Sequence, residues 1–365
     1  PEGTTPLSSG VPPPLAVAPR LGSLGAVFIM LKSALGAGLL NFPWAFERAG
    51  GIRSAVTVEL VSLVFLISGL IILGYSSSIS GQCTYQAVVK EVCGPAIGQL
   101  CEICFVFNLF MISVAFLVIV DDQLEKRECQ SQSCRFYQRF GLLLLCIFLI
   151  LPLSIPKEIS IQKYIRSGPC HEASIAIYSS MANQRLSHWV FISVVSMIIC
   201  LIIYSLTGVY GYLTFGKNVK ADILMSYTGD DILMLIARLL FGVSIITIYP
   251  IILLLGRSET QLITFRSLFT LSGILEVLRY ALTVLWITVT LLIAVFVPDI
   301  SKVISVIGGI SAFFIFIFPG LCLIFAVQSE PVFGLTVWGV VTLICGAFIF
   351  GQSTTIAVMQ LLGKI

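Results

Sequence analysis

The chain has 365 residues, of which 58% are hydrophobic and only 11% charged, with a formal net charge of +3. A soluble domain carries about 25% charged residues, so there is too little polar surface here to cover a water-soluble globule of this length. The small net charge and the absence of a Lys/Arg run set nucleic-acid binding aside, and what remains is an all-α, polytopic membrane protein whose first partner is the lipid bilayer.

Residues 1–20 contain six prolines and little that is apolar enough to pack, and they read as a disordered N-terminal tail. A cleaved signal peptide fits poorly, because the first apolar stretch is long, lies behind this tail and contains Lys32. A bilayer core needs roughly 20 apolar residues in a helix. Nine runs meet this, for about nine spans: about 22–47, 54–79, 97–120, 138–155, 188–212, 231–256, 279–297, 303–327 and 332–358. In hydrocarbon each backbone amide must pair within its own segment, so these runs predict helices, and residues 21–360 form one membrane domain. Lys and Arg are nearly balanced between alternate loops, so charge does not set the orientation. Cys129 and Cys134 share a polar loop and can pair only if that loop faces an oxidising side, which stays open.

The first run carries the strongest signal. It holds Gly36, Gly38 and Pro43 near the middle of one span. Glycine weakens a helix interior and proline removes a backbone donor. A membrane helix tolerates such a break where the freed polar groups line a cavity, and transporters bind ions and substrates at such breaks. A plain kink is the competing reading. Lys32, about ten residues into this span, lies roughly 15 Å deep, where a charge is costly and faces a cavity or a partner. Glu59, Glu102 and Arg238 lie nearer run ends and read as side chains reaching the interface. In the sixth run Ser244 and Thr247 share a helix face before Pro250, as cation ligands or as hydroxyls bonded to their own helix. Gly308-Gly309 and Pro319-Gly320 read as packing positions. His171 and His188 have no metal-binding context, no phosphate loop occurs, and no catalytic constellation appears, so an enzyme is not expected.

Several stretches resemble solute carrier family 38, the sodium-coupled neutral amino acid transporters: LGAGLLNFPWAF (35–46), FLISGLIILGY (65–75), LPLSIPKEI (151–159), GYLTFG (211–216), VISVIGG (303–309) and FPGLCL (318–323). The resemblance implies a broken-helix fold of two inverted five-helix repeats plus an extra helix, working by alternating access. It implies a neutral amino acid, glutamine-like first, held by the break at Gly36, Ala37, Gly38, Leu39 and Asn41. It implies a coupling cation, Na⁺ or H⁺, near Lys32, Ser244 and Thr247, no other cofactor, and residence in the plasma membrane rather than a lysosome or endosome. Lys32 departs from the asparagine common in the family. A second departure is larger: after Gln162-Lys163-Tyr164 the chain runs through 165–169 into Cys170–Tyr178, which resembles the end of the family's sixth helix. About two spans' worth of chain is missing there, the fifth helix and the first half of the sixth. A transport-dead form that modulates a full-length transporter, and an amino-acid sensor, are therefore the rival readings.

Overall fold

The computed structural model describes residues 21–36, 38–124, 140–155, 170–227, 232–265, 272–297, 299–328 and 332–362. The expected tail at 1–20, Ala37, the Cys129/Cys134 loop and the junction at 165–169 lie outside the described residues. The helices are α1 Ser23–Ala34, α2 Gly38–Arg48, α3 Ile52–Ser80, α4 Tyr85–Cys93 and α5 Pro95–Leu124. A shorter apolar helix, α6, covers Phe140–Ser154. Next come α7 Cys170–Ser180, α8 Leu186–Phe215, α9 Ile232–Phe265 and α10 Ser272–Phe296. Then α11 covers Ile300–Ala326, and α12 covers Phe333–Leu361.

Among the described residues seven of these helices are long and apolar enough to cross a bilayer, and the bent pair α1–α2 passes the same test when taken together, which makes up to eight. With α6 they account for the nine runs read from the sequence. The fourth run is the short one, and a π-helical turn at Cys146–Ile150 loosens it further. The half-length α7 is too short to count as a run.

Two hydrophobic cores divide the chain. The first joins Ala26 and Met30 of α1, Leu70 of α3, Ala173, Ile177 and Tyr178 of α7, and Trp189 and Ile192 of α8. The second gathers α4, α5, α6, α9, α10 and α11 around residues such as Leu109, Cys146, Tyr249 and Phe318. Helix α3 serves both, since Ile72 and Leu73 belong to the second core, and α7 adds Ile175 to it. Lipid tails are as apolar as leucine, so close packing and hydrogen bonds hold such helices together rather than the hydrophobic effect. The contacts have that character. The Trp189 indole donates to the Leu70 carbonyl at 2.8 Å. A Cβ at Gly320 would lie 2.9 Å from the Gly339 carbonyl, which seats α12 on α11. A two-bond clasp, Leu21 N to Ser180 O and Ala182 N to Leu21 O, both 3.0 Å, ties the start of α1 to the end of α7.

Candidate functional site

Helix α1 ends at Ala34 and α2 begins at Gly38, with a 59° bend between them. The two halves measure about 18 and 16 Å at about 1.5 Å per residue, so together they have the length of one crossing. Their ends bring the negative pole of α1 and the positive pole of α2 to the same place. Tyr204 of α8 donates its hydroxyl to the Ala34 carbonyl at 2.7 Å. Its ring lies 4.5 Å from that of Phe42, centroid to centroid. Helix α8 thus forms one wall of the break.

The glycines mark open space here, not backbone strain. A Cβ at Gly36 would meet nothing within 4 Å, and one at Gly38 would meet only the Tyr204 hydroxyl at 3.8 Å. Both residues are exposed. Positive φ occurs elsewhere, at Gly50, Gly51, Gly81, Gly94 and Gly216. Leu39 donates its amide to the Gly36 carbonyl at 3.1 Å and starts α2. Pro43 lies inside α2 and is buried. Asn41, also buried, donates its side-chain amide to the Ala221 carbonyl at 2.9 Å.

Lys32 sits in the last turn of α1, where a cation favours the helix pole. It is exposed. Among the described residues the ion-pair criterion is met by Arg48 and Glu47, at 3.8 Å, and not by Lys32. Ser244 and Thr247 lie on an exposed face of α9. The Thr247 hydroxyl donates to the Ser244 carbonyl at 2.7 Å, which leaves its oxygen lone pairs free to accept. Gly36, Gly38, Leu39 and Lys32 therefore share one break, whereas Ser244 and Thr247 stand on a helix of the other core.

One assembly of polar groups escaped the sequence reading. Asp222, in the segment between α8 and α9, accepts from the Gln123 side-chain amide of α5 at 2.7 Å and from the Leu224 amide at 2.9 Å. The Arg238 guanidinium of α9 donates to the Leu224 carbonyl at 2.9 and 3.2 Å. With Asn41 on Ala221, this segment fastens α2 to α5 and α9. Burial pushes the Asp222 carboxyl above its ordinary value, against the opposing pull of the Leu224 amide, Gln123 and Arg238. Arg238 had been read as reaching the interface, and it does reach the connecting segment. No local pattern announces its partner.

The chain matches the family described as transmembrane amino acid transporter protein over residues 20–165 and 169–360. Solute carrier family 38 member 8 of Homo sapiens is 50% identical, with 99% of this chain and 100% of that protein covered. Member 8 of Mus musculus is 49% identical, over 96% of this chain and 97% of the relative. Sodium-coupled neutral amino acid transporter 7 of Danio rerio is 38% identical, over 93% and 87%. The human alignment runs to 436 positions against a chain of 365 residues, so at least 71 positions of that relative face a gap here. The family match itself is interrupted between 165 and 169. These relatives are transporters, not enzymes, and this multi-pass membrane chain belongs to the transmembrane amino acid transporter family, in solute carrier family 38.

Proposed function

We propose that the chain carries a neutral amino acid, glutamine-like first, across a membrane by alternating access, with a monovalent cation as coupling ion. The observation that carries this reading is the break between Ala34 and Gly38, walled by Tyr204 on one side and open at Gly36 and Gly38 on the other. The α-carboxylate of the substrate suits the N-terminal pole of α2, and its ammonium suits the carbonyl pole of α1. Gly36, Ala37, Gly38, Leu39 and Asn41 supply the substrate segment. Lys32, Ser244 and Thr247 supply the cation region, and the ammonium of Lys32 takes the place of part of the cation's charge. The division into two cores, with α1 and α9 on different ones, supports the rocking motion that alternating access requires. The sodium coupling in the relatives' names is extended to this chain on that basis, and H⁺ is kept as the other candidate. Residence in the plasma membrane belongs to the same proposal.

A second reading is favoured by one specific observation, the 71 or more positions of the human relative that face a gap in this chain, together with the interrupted family match. It is a transport-silent form that modulates a full-length relative by co-assembly. Uptake of radiolabelled glutamine into proteoliposomes separates the two, with this chain measured beside a version in which the missing segment is restored. Saturable uptake by both supports the carrier. Uptake by the restored chain alone supports the silent form.

A further inference from the structure

Glu59 is an acidic side chain on a membrane-crossing helix that the proposed transport site does not use. It lies seven residues past the start of α3, about 10 Å along the helix. Its Oε2 accepts from the Ser205 hydroxyl of α8 at 2.6 Å. Its Oε1 is buried and has no hydrogen-bond donor among the described residues. Ser205 directly follows Tyr204, whose hydroxyl caps Ala34 at the break. The carboxyl is therefore at the level of the proposed site, one residue along α8 from the group that walls it.

An ionised carboxylate in an apolar layer calls for several donors or a cationic partner. This one has a single donor for two oxygens. The charged groups, histidines and tyrosines on the elements packed around it are Arg53 and Tyr75 on α3, Glu47 and Arg48 on α2, His188, Tyr204, Tyr210 and Tyr212 on α8, His171, Glu172 and Tyr178 on α7, Tyr85, Lys90 and Glu91 on α4 and Lys302 on α11, with Lys32 on α1, which packs on α8. Glu47 and Arg48 pair with each other at 3.8 Å, and His171 bonds the Leu66 carbonyl at 3.2 Å. Ser205 is the group that bonds Glu59.

We propose that Glu59 is a proton-binding site: its carboxylate takes a proton from water on one side of the membrane and holds it as a neutral acid against Ser205. The bound species is H⁺, no covalent bond other than O–H forms, and the proton returns to water when the carboxyl meets the opposite side. Its use as a coupling ion rests on the carrier reading, whereas proton binding at Glu59 does not.

The test is infrared difference spectroscopy on the full chain in nanodiscs, wild type minus E59Q, across a pH series. The expected result is a carbonyl stretch of a protonated carboxyl at neutral pH, absent from E59Q and restored by E59D. S205A guards against a folding failure of E59Q. It removes the donor to the carbonyl and should shift the band to higher frequency without abolishing it. Absence of the band at neutral pH overturns the site, and so does its loss on adding sodium at constant pH, which would make Glu59 a metal-cation ligand. Because no substrate is used, a band without glutamine uptake leaves the site standing and removes the carrier. Uptake without the band does the reverse.

Discussion

The hydroxyl of Tyr204 lies 2.7 Å from the carbonyl oxygen of Ala34, the last residue of α1, and donates to it across 170 residues of sequence. A helix that stops inside a membrane leaves carbonyls without intrahelical partners, and hydrocarbon offers no water to replace them. Tyr204 satisfies one of these, and its ring holds Phe42 on the far side of the break. Removing only the hydroxyl, in Tyr204→Phe, should leave the Phe42 contact and free the carbonyl. Side-chain hydrogen bonds between membrane helices contribute about 0.6 kcal/mol on average and up to about 1.7. A fall of that order in unfolding free energy is expected in detergent, together with weaker glutamine binding. Unchanged binding would place Tyr204 outside the site.

Asp222 gives a pH dependence of definite sign. Burial raises its carboxyl above the ordinary value of 3.8. A carboxyl raised in the folded state stabilises the fold fully below the unfolded value, and that contribution is lost as pH rises through the folded one. Asp222→Asn keeps a carbonyl acceptor and has no charge to gain. The wild type should therefore lose thermal stability relative to Asp222→Asn as pH rises from below 3.8. Melting curves of the two proteins across that range check it, and parallel curves would show that Asp222 does not titrate in the fastened segment.

Lys32 makes a prediction about sodium. At about 4 Å and an effective dielectric of about 20, two unit charges repel by about 4 kcal/mol. An ammonium in the last turn of α1 therefore opposes sodium at the same carbonyls. Glutamine transport or binding should depend weakly on sodium in the wild type, and Lys32→Asn should raise the apparent sodium affinity. Sodium titrations of the two proteins decide this, and superimposed curves would take Lys32 out of the cation region.

The apolar helices and the break in the first run were legible because each is a matter of local composition or motif order. Gly309 and Gly320 stand at close contacts, as their reading as packing positions expects, since a Cβ at Gly309 would meet the Ser353 hydroxyl at 3.2 Å and Gly320 faces Gly339, whereas a Cβ at Gly308 would meet only the Ser353 hydroxyl at 3.9 Å. The side-chain partners were not legible. Tyr204 is one tyrosine in a long apolar run, and its role depends on a carbonyl in another helix. Glu59 was read as reaching the interface and instead bonds Ser205, 146 residues away. The direction of a side chain on a membrane helix is set by which neighbours close around it, and a single sequence does not state that. Nor did the two glycines of the break reveal which property of glycine mattered. The structure shows open space in front of them instead of a strained backbone.

Equilibrium binding of radiolabelled glutamine to the purified chain in nanodiscs, wild type against Gly38→Leu, tests the proposed substrate site most directly. A leucine at 38 meets only the Tyr204 hydroxyl at its Cβ and needs no positive φ, so the protein should fold as before, while the new side chain fills the opening. Gly208→Leu is the contrasting variant, because its Cβ would lie 2.6 Å from the Phe46 ring and should damage the α2–α8 packing. The account predicts saturable binding in the wild type and its loss in Gly38→Leu with the melting temperature preserved. Equal saturable binding by a folded Gly38→Leu protein would contradict it.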